Sequence, residues 1–145
     1  MLADILLTEP NRPILVNDCG DVIDAEVRSK SGVGGFAIKA AYRTVKAVKP
    51  GIIRSVVSVL VDDFVSQLEP TYDAFNEEGG EDITSHLRRN AGSVAEALLV
   101  ITDRRAEKSR HRTLCKAYKK LRPKGRKHVI EAIPRIGAML AKHGI

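Results

Sequence analysis

Apolar residues recur at three- and four-residue intervals along most of this chain, which is the spacing that places them on one face of an α-helix. No segment alternates apolar and polar residues over the length of a strand. The pattern therefore predicts an all-α fold, a compact bundle of seven or eight helices. The predicted helices cover residues 11–30, the segment between 35 and Pro50, 52–69, 82–90, the segments that start at Ser93 and at Thr113, and 126–143.

Residues 52–69 need a separate argument, because their central VVSVLV sequence is rich in β-branched residues that favour strands. Length decides in favour of a helix, since no turn-forming residue occurs between Gly51 and Pro70. The apolar side chains of the segment also share one helical face: Ile53, Val56, Val57, Leu60, Phe64 and Leu68.

Short local signals predict where the helices begin, end or bend. Three glycines in the SGVGG sequence at 31–35 predict a flexible connector between helices. Asn11 is the expected N-cap of the first helix, Ser93 starts a sequence with capping-box spacing, and Thr113 is the expected cap of a later helix. Pro134 lacks a backbone N–H, so we expect it to kink or split the last helix.

The two halves of the chain resemble each other in sequence. Two sets of residues match at a constant offset of 76, and a proline follows each set: Ile38, Ala41, Tyr42 and Val45 match Leu114, Ala117, Tyr118 and Leu121. Upstream, the offset is 79: Asn11 and Asp24 match Asn90 and Asp103. This similarity predicts a duplicated unit of about four helices, with halves at about 1–78 and 82–145 inside a single domain, 1–145. The alternative is a chance match between amphipathic helices.

Short sequences spread over nearly the whole chain carry a resemblance to a known group of proteins. They are EPNRP at 9–13, DAEV at 24–27, AIKAAY at 37–42 with VKPGI at 48–52, DRRAE at 103–107, KAYKKLR at 116–122 and HVIEAIPRIG at 128–137. With these sequences the chain resembles a family of small, uncharacterised, all-helical actinobacterial proteins. The resemblance implies a helical fold and a bacterial cytoplasmic setting, and it implies no catalytic residue, cofactor or partner.

Length, composition and cysteine content restrict the class of protein. A chain of 145 residues with 43% hydrophobic and 29% charged residues is typical of one globular domain. The densest apolar stretch, 52–65, is interrupted by charged residues and is shorter than the roughly 20 residues of a membrane span. Cys19 and Cys115 are too few for a disulfide scaffold, so we expect reduced thiols, a cytoplasmic protein and no membrane contact.

The charge distribution bears most directly on function. The chain has a formal charge of +6, and residues 104–127, here called the basic segment, hold 12 of its 24 Lys and Arg with a single acid. After Thr113 the cations and the apolar residues fall on opposite sides of a helix, which predicts a solvated basic ridge. The expected anion-binding residues are Arg112, Lys116, Lys119, Lys120, Arg122, Lys124, Arg126 and Lys127.

A second segment has the opposite charge. Residues 62–82, here called the acidic stretch, hold eight carboxylates, and no Lys or Arg occurs between Arg54 and Arg88. Three relations between the two segments stay open: pairing within one chain, head-to-tail self-association, and binding of the basic segment to an acidic partner.

Nucleic acid is the alternative partner, because clustered Lys and Arg attract phosphates. Aromatic residues make up only 4% of the chain, and Tyr118, the one aromatic residue of the basic segment, is expected on the apolar side of its helix. Stacking on unpaired bases is therefore not favoured, and contact with duplex DNA would be salt-sensitive and weakly selective.

The sequence offers little for catalysis or metal binding. His111 and Cys115 share a helix face, but the further ligands of a structural zinc site are missing. Asp62 and Asp63 are adjacent, so on a helix they point roughly 100° apart and form no acid–base pair. The remaining histidines are expected to be ordinary surface or helix-end residues: His86, His128 and His143. We expect no catalytic residue, no metal and no cofactor.

Tyr42 and Tyr118 occupy equivalent positions in the two expected halves, so we expect them to meet near the pseudo-twofold axis with their hydroxyls hydrogen-bonded. A pocket between the halves would lie in the same region, which makes a small-ligand binder one functional hypothesis. The leading hypothesis is a non-catalytic binding or scaffold protein whose basic segment engages an acidic partner or a second copy of the chain.

Overall fold

The computed structural model describes all 145 residues and contains eight α-helices, one 3₁₀ turn and no strand, which confirms the all-α prediction. The helices are α1 (Leu2–Leu6), α2 (Asn11–Ser29), α3 (Gly32–Lys46), α4 (Ile52–Glu77), α5 (Ile83–Arg89), α6 (Ala91–Lys108), α7 (Arg112–Leu121) and α8 (Gly125–Lys142), and the 3₁₀ turn is Arg122–Lys124. None of these helices combines the length and the apolar character that a membrane crossing needs.

One hydrophobic core joins both halves of the chain. It contains 13 buried residues: Leu2, Leu6, Leu15, Val57, Val61, Val65, Leu68, Phe75, Ile83, Leu87, Val94, Ile133 and Leu140. They come from six helices, and each fully buried aliphatic side chain contributes about 1.5–3 kcal/mol through removal from water. Neither α3 nor α7 contributes a residue to this core.

The helices follow the same order in both halves, with a short, a long, an intermediate and a long helix. α1 packs on α4 as α5 packs on α8, and α2 contacts α4 as α6 contacts α8. The intermediate helices α3 and α7 pack against each other across the two halves. The internal duplication itself stays a prediction.

The VVSVLV sequence is helical, as its length and face predicted, and α4 continues past the expected end at Pro70 to Glu77. Pro134 likewise lies inside α8 and does not split it. Both prolines are exposed. A proline on the solvent side of a helix is tolerated because water reaches the backbone carbonyl that loses its hydrogen bond.

The expected connector at 31–35 is wrong, because residues 32–35 form the first turn of α3 and only Lys30 and Ser31 separate it from α2. Gly35 explains the glycine content. A Cβ atom on Gly35 would lie 2.7 Å from the Lys30 carbonyl carbon, so only glycine lets the first turn of α3 lie this close to the backbone that precedes it.

The three expected helix caps are also wrong. Asn11 is the first residue of α2, and its side-chain amide donates to a carbonyl oxygen of α1 at 2.8 Å. Ser93 lies in the first turn of α6, which begins two residues earlier. Thr113 lies inside α7, where His111 Nδ1 accepts a backbone N–H of the first turn at 3.4 Å instead.

The first helix, α1, was not predicted because its five residues are too few to show a period. It is held by tertiary contacts. The carboxylate of Glu69 in α4 accepts the backbone N–H groups of Leu2 and Ala3 at 3.1 and 2.9 Å, and Leu2 and Leu6 are buried in the core. A negative charge at this end also suits the helix dipole.

The C-terminus is held to α2 by a nearly buried carboxylate. Lys142 Nζ lies 3.0 Å from both oxygens of Asp18, and His143 Nε2 lies 2.8 Å from one of them. Burial alone would raise the pKa of Asp18, but the hydrogen bonds from Lys142 and His143 outweigh it and lower the pKa below its usual value.

The crossing of α5 and α8 predicts the effect of a single methyl group. A Cβ atom on Gly137 would lie 2.2 Å from Thr84 Oγ1 and 2.9 Å from Thr84 Cα, so Gly137→Ala should lower the free energy of unfolding by about 1–3 kcal/mol. The matched control is Gly34→Ala in α3, where the nearest atom is Lys124 Nζ at 3.9 Å. That variant should gain about 0.5–1 kcal/mol from helix propensity. Urea unfolding measures both, and equal changes would contradict this packing.

The Asp18 contacts predict a pH dependence. Because the pKa of Asp18 is lowered in the folded state, its stabilisation is present above the unfolded value of about 3.9 and is lost as the pH falls through the folded value. Asp18→Asn should therefore destabilise the protein at pH 7, and the gap to the wild type should narrow as the pH falls from about 5 towards 2. Urea unfolding along this pH series checks it, and a gap that stays constant would show that the charge of Asp18 is irrelevant.

Candidate anion-binding site

Helices α3 and α7 form an outer layer on the six-helix core, since they pack on each other and contribute nothing to the core. In α7, Ala117 is buried and Leu114, Tyr118 and Leu121 are half-buried, so this side of the helix faces the protein. The opposite side is left to solvent.

The solvent side of α7 and the turn after it carry exposed cations without partners. No carboxylate oxygen lies within 4.0 Å of these five side chains, and α7 contains no acidic residue. They are called the basic face below: Arg112, Lys116, Lys119, Lys120 and Lys124.

The other three expected anion-binding residues have carboxylate partners. Arg122 forms two hydrogen bonds to Asp103, with Nε at 2.8 Å and Nη2 at 3.2 Å. Arg126 lies 3.4 Å from Glu96, and Lys127 lies 3.8 Å from Glu131. Arg126 and Lys127 are exposed and their pairs are long, whereas Arg122 is held by its forked contact.

A tyrosine attaches each outer helix to the long helix beside it. The Tyr118 hydroxyl of α7 donates to Asp103 of α6 and also contacts Thr102 Oγ1 at 2.7 Å. The Tyr42 hydroxyl of α3 donates to Asp24 of α2. Both hydroxyls are hydrogen-bonded, as expected, and each bonds within its own half. That the two tyrosines meet near a pseudo-twofold axis stays a prediction.

These contacts keep the phenols protonated. Burial, followed by the hydrogen bond to Asp103, raises the pKa of Tyr118 to about 12. Burial and the bond to Asp24 likewise raise the pKa of Tyr42. Arg122, followed by Tyr118, lowers the pKa of Asp103, so that carboxylate stays charged and keeps accepting.

The acidic stretch does not pair with the basic segment. Its partnered carboxylates contact other parts of the chain: Asp62 contacts Arg12 at 3.1 Å, Glu69 caps α1, Glu78 contacts His86 and Arg89 at 3.1 and 3.5 Å, and Asp82 caps α5. The other four carboxylates are exposed and have no cation within 4.0 Å: Asp63, Asp73, Glu77 and Glu81. Pairing of the two segments within one chain is therefore wrong.

A second row of cations lies on α3, outside the basic segment to which the prediction was confined. Lys39, Arg43 and Lys46 follow one another at intervals of four and three residues, which places them on one face of the helix. None of them has a carboxylate partner within 4.0 Å. The sequence does contain a sign of this row, because no acid occurs between Glu26 and Asp62. The basic segment has a higher density of cations, and the prediction was based on that density.

Two large apolar side chains are exposed at the start of α3. Val33 is 91% exposed and Phe36 is 74% exposed, whereas the core residues are almost completely buried. Gly34, between them, approaches Lys124 of the basic face, since a Cβ atom there would lie 3.9 Å from Lys124 Nζ. Apolar and cationic groups thus adjoin on the outer layer.

The expectation of ordinary surface histidines is wrong for His86. Its ring is 1% exposed, lies 5.6 Å from the Phe75 ring centroid, and has Nδ1 3.1 Å from Glu78. His143 follows α8 but is nearly buried against α2. His128 is half-buried, and its Nδ1 has no hydrogen-bond partner.

Both cysteines are free thiols. Burial, followed by the charge of Asp18, raises the pKa of Cys19 to about 11, and its Sγ lies 3.7 Å from Met139 Sδ. The Cys115 Sγ faces the backbone carbonyls of Ala106 and Ser109 at 3.8 and 3.6 Å. No group of three His, Cys, Asp or Glu residues is arranged to hold a metal ion.

The apolar cavity between the halves is too small for a ligand. It measures about 10 Å³ and is lined by residues of α1, α4, α5 and α8 with the C-terminal Ile145. This volume holds about one water molecule. The cavity lies apart from Tyr42 and Tyr118, where the small-ligand hypothesis places its pocket, and that hypothesis stays a prediction.

The Tyr118 hydroxyl provides a test of how the outer layer is attached. Tyr118→Phe removes the bonds to Asp103 and Thr102 and should lower the free energy of unfolding by about 1–2 kcal/mol. The control is Tyr72→Phe, because the Tyr72 hydroxyl has no hydrogen bond within the chain, and its effect should stay within about 0.5 kcal/mol. Urea unfolding measures both, and equal changes in the free energy of unfolding would show that the Tyr118 hydrogen bonds do not stabilise the attachment of α7.

Comparison with known proteins identifies a family and no function. No curated protein and no solved structure matches the sequence. Residues 2–144 match a family of unknown function, DUF6918, which covers nearly the whole chain and agrees with the resemblance to an uncharacterised helical family. The chain belongs to the DUF6918 family.

Proposed function

We propose that this chain is a non-catalytic binding protein whose basic face engages the acidic surface of a protein partner, which includes a second copy of the chain. The observation that supports the proposal is the basic face itself, which has five exposed cations without carboxylate partners. Four lie on α7, which contains no acid, and Lys124 lies in the turn after it. Such an arrangement produces a positive field that speeds encounter with acidic surfaces and rejects basic ones.

Charge alone would give weak binding, since an exposed ion pair contributes about 0.2–1 kcal/mol. The exposed apolar side chains of Val33 and Phe36 would add binding free energy when a partner covers them, because aromatic and aliphatic groups buried at the centre of an interface contribute most of its affinity. They flank Gly34, where a Cβ atom would lie 3.9 Å from Lys124 Nζ, and this favours a partner that carries both carboxylates and an apolar patch.

Self-association is one form of the proposal. The carboxylates Asp63, Asp73, Glu77 and Glu81 are exposed and have no cation of their own chain within 4.0 Å. The acidic stretch of one copy therefore offers a complementary surface to the basic face of another, in a head-to-tail contact that uses different surfaces on each copy.

Three further expectations belong to this proposal. Two unbridged cysteines support a reducing, cytoplasmic location. The matching order and contacts of the helices support duplication of a four-helix unit. The actinobacterial source rests on the resemblance alone.

The proposal predicts salt-sensitive binding to an acidic polypeptide. Polyglutamate should bind at low salt and weaken at high salt, because screening shortens the reach of exposed charges. The triple variant with Lys116, Lys119 and Lys120 changed to Ala should fold normally and bind at least about tenfold more weakly, as expected for the loss of about 1.4 kcal/mol or more. Fluorescence anisotropy measures the affinity.

The matched control removes three exposed, unpaired cations from α6: Arg104, Arg105 and Lys108. It has the same net charge as the α7 variant and should retain most of the affinity. Equal losses in both variants would assign binding to net charge rather than to the basic face. Tighter binding of duplex DNA than of polyglutamate at the same salt would favour the nucleic-acid alternative.

Sedimentation equilibrium distinguishes the two forms of the proposal. A dimer at low salt that dissociates at high salt, and that the α7 variant abolishes, supports self-association. A monomer under all conditions that still binds polyglutamate restricts the proposal to a separate acidic protein.

A further inference from the structure

The groove between α2 and α3 has an unusual charge balance. It measures about 300 Å³ and is open to solvent. Its lining contains four cations, one carboxylate, one tyrosine and one valine: Arg28, Lys39, Arg43, Lys46, Asp24, Tyr42 and Val27. It is called the α2–α3 cleft below, and it shares no residue with the basic face.

The single carboxylate of the cleft is already engaged. Asp24 accepts the Tyr42 hydroxyl and lies 3.9 Å from Arg54 Nη1, which approaches from α4. None of the four lining cations has a carboxylate within 4.0 Å, and Lys46 Nζ lies 5.2 Å from the Tyr42 ring centroid. With four cations and one carboxylate in the lining, most of the positive charge of the cleft is uncompensated.

A neighbouring groove shows that uncompensated charge is not a general property of this surface. The groove between α2 and α8 measures about 480 Å³ and is also lined by cations and acids. There, Lys30 Nζ lies 2.6 Å from Glu131, and Arg135 Nε lies 2.8 Å from Glu26. The charges of this groove are therefore paired, whereas the cations of the α2–α3 cleft line a solvent-open groove without carboxylate partners.

The second tyrosine–aspartate pair gives an internal comparison. The guanidinium of Arg122 lies directly on Asp103 through its forked contact. At the first pair, Lys46 holds the position that the offset of 76 assigns to Arg122, and its Nζ lies 5.2 Å from the Tyr42 ring centroid. The nearest guanidinium, Arg54 of α4, donates instead to Asn17 and Asp21 at 2.8 and 2.6 Å. No arginine therefore covers the Tyr42–Asp24 pair from the cleft side at hydrogen-bond distance, and the pair forms the floor of an accessible groove.

We propose that the α2–α3 cleft is a binding site for a small phosphorylated molecule. Guanidinium groups bind phosphate oxygens in pairs, and lysines add charge with adjustable reach, so two arginines and two lysines suit a dianionic phosphate better than a single carboxylate. The volume lies at the lower end of small-molecule sites. The Tyr42 ring and Val27 provide apolar surface for the remainder of the molecule.

The site is distinct from the basic face in position and in ligand. It takes one phosphate-bearing molecule between two helices of the first half, whereas the basic face lies on α7 and engages a macromolecular surface. Because the cations of the cleft come from α2 and α3, variants separate the two sites.

The test is a heteronuclear NMR titration of the full chain with inorganic phosphate and pyrophosphate. Amide shifts should concentrate in residues 24–28 and 39–46 and saturate, with pyrophosphate binding more tightly. Arg43→Gln should weaken phosphate binding at least about tenfold, and Lys39→Gln should weaken it independently. Both side chains line the open cleft, and thermal unfolding verifies that the two variants fold. Arg105→Gln, which changes an exposed and unpaired cation of α6 outside both the cleft and the basic face, should leave the affinity unchanged.

Three results would overturn the proposal. The first is a set of shifts scattered over all Lys and Arg residues without saturation. The second is an equal loss of phosphate affinity in the Arg43 and Arg105 variants. The third comes from vesicles: if phosphatidic acid vesicles bind in an Arg43-dependent way while free phosphate and pyrophosphate do not bind, the phosphate belongs to a lipid surface rather than to a small molecule. Failure of the basic face to bind polyglutamate leaves these outcomes unaffected.

Discussion

The shared hydrophobic core is the constraint from which the rest of the architecture follows. α4 and α8 carry apolar residues into one cluster with α1, α2, α5 and α6, so neither half completes a core alone. The helices can share this core because some of them pack very closely, above all at Gly137 of α8, where Thr84 of α5 leaves no room for a side chain. With six helices committed to the core, α3 and α7 are left on its outside, and their charges face water.

Hydrogen bonds supplement a small apolar contact, with Ala41 and Ala117 buried, in holding these two outer helices in place. Each has a tyrosine whose hydroxyl reaches an aspartate of the adjacent long helix, at Asp24 and at Asp103. Burial raises the pKa of both phenols, and the lowered pKa of Asp103 keeps that carboxylate charged, so the Tyr118 bond is charge-assisted.

The sequence predicted the elements whose signal is local and periodic. The helix at 52–69 and the solvent exposure of Lys116, Lys119 and Lys120 follow from apolar spacing alone. Features that depend on tertiary neighbours escaped it. Gly35 is needed in α3 because the Lys30 backbone lies too close for a side chain, and His86 is buried beside Phe75 and Glu78.

The candidate sites divide in the same way. The cations of α7 were predicted because they are dense in sequence, whereas Arg28, Lys39, Arg43 and Lys46 are spaced over two helices and meet only when α2 and α3 pack. The charge partners were equally inaccessible, since the acidic stretch is complementary to the basic segment in composition and yet contacts Arg12, Arg89 and the start of α1.

The absence of α3 and α7 from the core also separates two kinds of evolutionary change. A substitution on the solvent side of either helix alters surface charge without opening a void or forcing side chains to repack, so its effect on the folded population is small. Relatives with the same six-helix interior are therefore free to diverge in what their outer helices recognise, while the interior tolerates few changes of volume.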